Sequence, residues 1–283
     1  MKNLIPVSVV SALIFGVLWI VRFFEISTNR LILAMLGAAL FFFGALALKL
    51  LSPRIRTTRF FSLKSPAFSD VGLTLCLSVL LISGSFLLNY FTASFYDLIS
   101  VDAPDAFSDP GYSSVGMALL CTALLPALFE ELYFRGAVLT TLRLSKMKNF
   151  YVILLSAAFF TLLHGPGWYF VSDFYAGVIL ALAVYFSGSL LSAVAIHLIS
   201  NVASYFLALY GGRLLAAGIG DLAIHVLSVC FLGALCHLLH LLKKLVIRNE
   251  EEDRSRVNEN SRRWEEQKAK GAPSHETSKK KSR

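Results

Sequence analysis

Glu130 and Glu131 stand side by side, with Arg135 four residues beyond the second, at the inner end of an apolar run that reads as a membrane span. A carboxylate near hydrocarbon is costly unless it is paired, hydrated or turned toward protein, so such residues mark a functional site by default. Two later apolar runs carry further reactive groups. His164 ends one, and His197 and Asn201 lie four apart within another. Carboxylates able to act as bases, with imidazoles and an amide able to donate to an oxyanion, are the parts of a hydrolytic site. The pattern predicts such a site inside a bundle of transmembrane helices.

Spacing assigns provisional roles. In Cys121–Gly136, Glu131 and Arg135 share a helix face in the acid-before-base order that favours an ion pair. Glu130 points about 100° away and is free to meet a different neighbour. The alternative is that both glutamates merely cap a cytoplasmic helix end. His164 closes Phe160-x-x-x-His164 just before a Gly165-Pro166-Gly167 turn, where a lone histidine is usually interfacial. His197 and Asn201 project from one face, either as packing hydrogen bonds between helices or as oxyanion donors. Asp173, near the outer end of its span, reads as hydrated. Asp221 and His225 read as a local pair, and His237 and His240 suit a membrane interface better than a metal site.

These groups need helices to position them, and the composition supplies helices of membrane length. Hydrophobic residues make up 56% of the chain and the mean hydropathy is +0.67, too apolar for an ordinary soluble domain. Runs near the length needed to cross about 30 Å of hydrocarbon recur. Eight are expected: Leu4–Phe24, Leu31–Leu51, Val71–Phe91, Val115–Leu132, Phe150–His164, Trp168–Phe186, Leu190–Tyr210 and Leu222–Leu242. The first reads as an anchor, because its apolar core exceeds that of a signal peptide. The expected fold is an all-α polytopic bundle of about eight transmembrane helices. Its parts are three N-terminal spans with an acidic loop (1–114), a motif-bearing bundle (115–242) and a charged tail (243–283).

Loop charge gives an orientation. Arg54, Arg56, Arg59 and Lys64 follow the second span, and Arg143, Lys146 and Lys148 follow the fourth. Only acids, Asp97, Asp102, Asp105 and Asp109, follow the third. Basic loops are retained in the cytoplasm, which places both termini there. The first hairpin, with Arg22 and Arg30 against Glu25, fits this least well. The tail from Lys243 to Arg283 lacks the apolar residues needed to offset folding entropy and reads as disordered beyond a helical continuation of the last span. Its basic ending accounts for much of the net charge of +8 and favours contact with anionic lipid headgroups, with no nucleic acid expected. Cys76, Cys121, Cys230 and Cys236 show no metal or redox spacing and read as small apolar fillers.

Three motifs in order, Glu130-Glu131-x-x-x-Arg135, Phe160-x-x-x-His164 and His197-x-x-x-Asn201, resemble those of the CPBP intramembrane proteases. That family includes CAAX prenyl endopeptidases and bacterial proteins linked to bacteriocin immunity. The resemblance covers roughly Val115–Leu207, including Gly177 and Gly188-Ser189-Leu190 leading into the third motif. It implies an endopeptidase in which Glu130 and His164 activate water while His197 and Asn201 stabilise the oxyanion. Glu131 and Arg135 would hold the helix and orient Glu130, and Phe160 would support the second motif. It further implies a peptide or membrane-protein substrate, lipidated in the CAAX case; because Glu130 lies near a cytoplasmic helix end, the water-filled cavity is expected to open on that side and cleavage to fall near that face. Glu130, His164 and His197 would form an acceptable zinc set, although water activated by glutamate needs no metal and HExxH is absent. Two other classes use the same groups: a transporter or proton relay, and a non-catalytic scaffold or immunity protein.

Overall fold

Seven helices of the computed structural model are long and apolar enough to cross a membrane, and an eighth, Asn149–His164, is apolar but shorter. The structure describes residues 4–23, 29–53, 55–67, 69–98, 112–145, 147–164, 169–216, 218 and 220–271. Most of the acidic loop, the Gly165–Gly167 turn, Trp168, Arg54, Lys146 and the last basic residues lie outside these. Among the described residues there are helices and no strands, so the expected all-α bundle is the observed one.

The helices are α1 (Leu4–Phe23), α2 (Arg30–Leu50), the short α3 (Thr57–Phe60) and α4 (Ser69–Leu98). A single helical run, Val115–Arg143, follows: α5 (Val115–Leu119), α6 (Leu125–Glu131) and α7 (Leu139–Arg143), joined by π-helical stretches Leu120–Leu124 and Leu132–Val138. Then come α8 (Asn149–His164), α9 (Phe170–Ser187), α10 (Leu190–Ala216) and α11 (Gly220–Gly271). The compact units are Met1–Leu235, which contains the motifs, and Cys236–Arg283. α11 extends helix through charged residues as far as Gly271, well past the expected end of the last span.

The fourth span corrects the sequence reading most. It was expected to stop at Leu132, with the glutamates at its end, but it runs on to Arg143. The charged triplet does not end it because Glu131 and Arg135 are wholly buried against one another, leaving no charge for lipid to reject. Glu130 therefore sits in mid-span, thirteen residues before Arg143, or roughly 20 Å of helix. The two π-helical stretches lie on either side of the glutamates, and insertions of this kind are frequent where a helix serves a site.

Around this run, α2 packs along α6 and the second π stretch, α10 lies against α6 and α4, and α9 lies between α8 and α4. Two backbones approach closely in the α8–α9 hairpin, where a Cβ on Gly177 would meet the Ala157 Cα at 2.8 Å. Only glycine lets these backbones come so near. Large apolar side chains such as Leu13, Phe43, Leu75 and Val229 lie on the outside, as a lipid surround requires.

The helix ends that carry the basic loops are closed. Phe60 and Phe61 are buried, with the Phe61 ring against Gly136. The chain just beyond them is tied down, Leu190 N–H donating to Ser62 O at 2.9 Å and Ser189 Oγ to Lys64 O at 2.5 Å. α9 stops beside this plug at Gly188, whose φ of +65° is the left-handed cap that glycine adopts without cost.

Candidate functional site

Glu131 is a junction. Its Oε1 accepts a hydrogen bond from Arg135 Nη1 at 2.9 Å, the expected helical pair, and another from His197 Nδ1 at 2.8 Å. Arg135 also donates from Nη2 to the Gly177 carbonyl at 3.2 Å and lies 4.4 Å from the centroid of the Phe160 ring. A buried guanidinium is tolerated only with such satisfaction, and the aromatic face adds attraction to the ion pair. One side chain thus links the first motif, the second motif and α9. Phe160 in turn packs its ring 4.3 Å from that of His164 and 6.1 Å from that of His197, centroid to centroid.

Glu130 leaves the helix in another direction and meets His164 instead. Its Oε2 lies 3.5 Å from His164 Nε2 without a hydrogen bond between them, and that oxygen is buried. The other ring nitrogen of His164, Nδ1, is 2.8 Å from the Phe160 carbonyl. A carbonyl only accepts, so Nδ1 carries the hydrogen and Nε2 is the nitrogen presented to Glu130. This places an imidazole and a carboxylate face to face with their unused valences directed at each other.

A cavity of about 210 Å³ ends on this pair. Its walls are apolar, with Leu18 from α1, Leu33, Gly37 and Phe41 from α2, and Cys121 and Phe129 from the Val115–Arg143 run. Leu18, Leu33, Gly37 and Cys121 belong to the halves of their helices nearer the acidic loop, and Phe41 and Phe129 lie at mid-helix. An opening at the basic-loop ends was expected because Glu130 was placed at the end of its helix. With Glu130 in mid-span and Phe60–Phe61 plugging the basic-loop end, the space lies on the other side.

Of the residues expected from sequence, Glu130, Glu131, Arg135, Phe160, His164 and His197 are linked through direct contacts. Glu131 is hydrogen-bonded to His197, sixty-six residues away, so it orients that histidine; the structure gives it no bond to Glu130. Asn201 follows His197 by one turn of α10 and is half-buried, with no hydrogen bond from its amide to a described residue. The zinc set is not assembled. His197 commits Nδ1 to Glu131, and no three His, Cys, Asp or Glu side chains among the described residues converge on a point where a metal ion could sit. Asp173 was passed over as hydrated; it is half-buried on α9, within electrostatic reach of His164, Glu130 and His197. The signal was its spacing of four before Gly177, which puts both on one face of α9.

Residues 113–203 match the family described as type II CAAX prenyl endopeptidase, Rce1-like. The matched segment begins just before α5 and ends just past Asn201, so it contains all three motifs and about a third of the chain. No curated protein and no solved structure matches the chain. The protein is an integral, multi-pass membrane protein whose residues 113–203 match the Rce1-like family model, in line with the resemblance to the CPBP/CAAX proteases.

Proposed function

We propose that the chain hydrolyses peptide bonds within the membrane, with Glu130 and His164 activating the attacking water and His197 and Asn201 receiving the charge that develops on the carbonyl oxygen. The observation that carries this reading is the Glu130–His164 pair at the end of an apolar cavity, its facing atoms 3.5 Å apart and the Glu130 oxygen without a hydrogen bond among the described residues. A buried carboxylate beside an imidazole is suited to take a proton from water, a contribution worth about 10²–10⁴-fold in rate. The water oxygen bonds to the carbonyl carbon and its proton passes to the pair. The C–N bond then breaks as that proton is delivered to the leaving amine.

The Glu131–His197 bond supports the second half of the assignment. With Nδ1–H donated to a carboxylate, His197 has its orientation set, and its Nε2 serves as an oxyanion donor in the imidazolium form, which a buried acid stabilises. Asn201, on the same face one turn away, contributes amide donors to the same region. No step is routed through a metal, because the described donors do not converge as one would need.

The depth of Glu130 changes where the bond is cut. Cleavage takes place well inside the bilayer, toward the acidic-loop side, and the substrate inserts an apolar group into the cavity. A lipidated CAAX-type end and an unmodified apolar segment both satisfy that requirement. If the basic loops are cytoplasmic, both termini are too, and the cavity faces away from that compartment. The test is mass spectrometry of new N-termini in host membranes, comparing the native protein with Glu130→Ala and His164→Ala at matched abundance. N-termini lost in both variants establish proteolysis and name the substrate. Unchanged N-termini alongside a mutant phenotype reject it and favour transport or a binding role.

A further inference from the structure

Asp173 is on α9, a helix that contributes no residue to the lining of the apolar cavity. α8 and α9 form an antiparallel hairpin whose register is fixed where Gly177 meets Ala157. Asp173, four residues before Gly177, is therefore level with Thr161, four residues after Ala157, and about 4–5 Å of helix short of His164. Helical Cβ atoms tilt toward the N-terminus, which carries the Asp173 side chain further toward His164. Asp173 is near enough to His164, Glu130 and His197 to feel their charge. Among the described residues its carboxylate makes no ion pair and no hydrogen bond; only its backbone N–H is engaged, by Tyr169 O.

Charge around the site does not balance. Glu130, Glu131 and Asp173 are three acids, and the permanent cation among them, Arg135, is committed to Glu131, Gly177 and Phe160. The reacting pair thus divides two unlike surroundings, with an apolar cavity on the α2 side and a carboxylate without a cation on the α9 side. A peptide laid across the pair meets both.

We propose that Asp173 is a specificity-determining residue, selecting substrates with a basic side chain, Lys or Arg, a few residues from the scissile bond, on the side opposite the apolar group held in the cavity. This deepens the protease reading and rests on it. A short leaving fragment ending in a free carboxylate would be repelled on the α9 side, so there an internal bond of a longer segment is favoured over a chain end.

The test uses full-length protein in bicelles with quenched fluorescent apolar peptides, in matched sets carrying Lys, Gln or Glu at each position flanking one bond. The native protein is expected to cleave the Lys set with kcat/KM about tenfold above the Gln set at one side of the bond. Asp173→Asn should bring Lys and Gln within about twofold of each other, and Asp173→Lys should favour the Glu set. A native protein that cleaves all three sets equally overturns the inference while leaving the protease reading intact, as does an Asp173→Asn variant that slows all sets by one factor. Cleavage of no set by the native protein, or equal cleavage by Glu130→Ala, overturns the protease reading and this inference with it. The inverted preference of Asp173→Lys guards against misfolding, since a damaged protein gains no new specificity.

Discussion

Glu130 and Glu131 are neighbours in the chain with opposite surroundings. Glu131 is wholly buried and its Oε1 holds both Arg135 and His197. Glu130 keeps some exposure, faces a cavity and has an oxygen without a hydrogen bond. The difference separates two uses of a carboxylate in a membrane. A charge paired with a guanidinium and an imidazole ties helices together; one with no hydrogen bond to the imidazole it faces, at the edge of a cavity, is left for a substrate. A single residue of helical rotation accomplishes the division.

Substitutions can break or sharpen this contrast, and the largest effect expected is on Glu130. Glu130→Ala should lower the cleavage rate by about a thousandfold while the melting temperature stays within a few degrees of native, read by peptide turnover and a thermal shift in detergent. A large loss of stability there would erase the distinction. Glu131→Ala should do the reverse in kind. It strands a buried guanidinium and costs about 3–5 kcal/mol, seen as loss of folded protein on size-exclusion chromatography; a stable, inactive variant would move Glu131 into the chemistry. Gly177→Ala pushes a methyl group into Ala157 and should cost about 1–3 kcal/mol, lowering thermal stability and activity together, because it moves the carbonyl that receives Arg135. The smallest change is Tyr133→Phe, which removes the 2.8 Å bond to Ser11 at about 1 kcal/mol. It should leave turnover unchanged, since this bond secures α1 away from the pair.

Much of the site was legible because its pairings are local. Glu131 with Arg135, and His197 with Asn201, follow from a spacing of four on a helix whatever the surroundings, and the order of motifs was enough to suggest the family. The run was read as ending too early because charges normally stop a span; nothing within a window of twenty residues shows that Glu131 and Arg135 will be enclosed by Phe160, Gly177 and His197 from three other helices. Asp173 was set aside for a similar reason. Near a helix end, an acid bound for water and an acid bound for a site look alike until α8 and α9 are placed in register.

The sequence by itself determined that this chain crosses a membrane repeatedly as helices, since its apolar runs have the length and composition that hydrocarbon demands. It also determined which side chains share a helix face. The tertiary structure alone decided which glutamate is free and which is bound, that Glu131 reaches His197, that Phe60 and Phe61 close the basic-loop end, and that the cavity lies on the other side. The physical reason is range. Helix periodicity carries contacts over one or two turns, whereas these outcomes depend on close approaches such as Gly177 against Ala157, which set how one helix slides past the next.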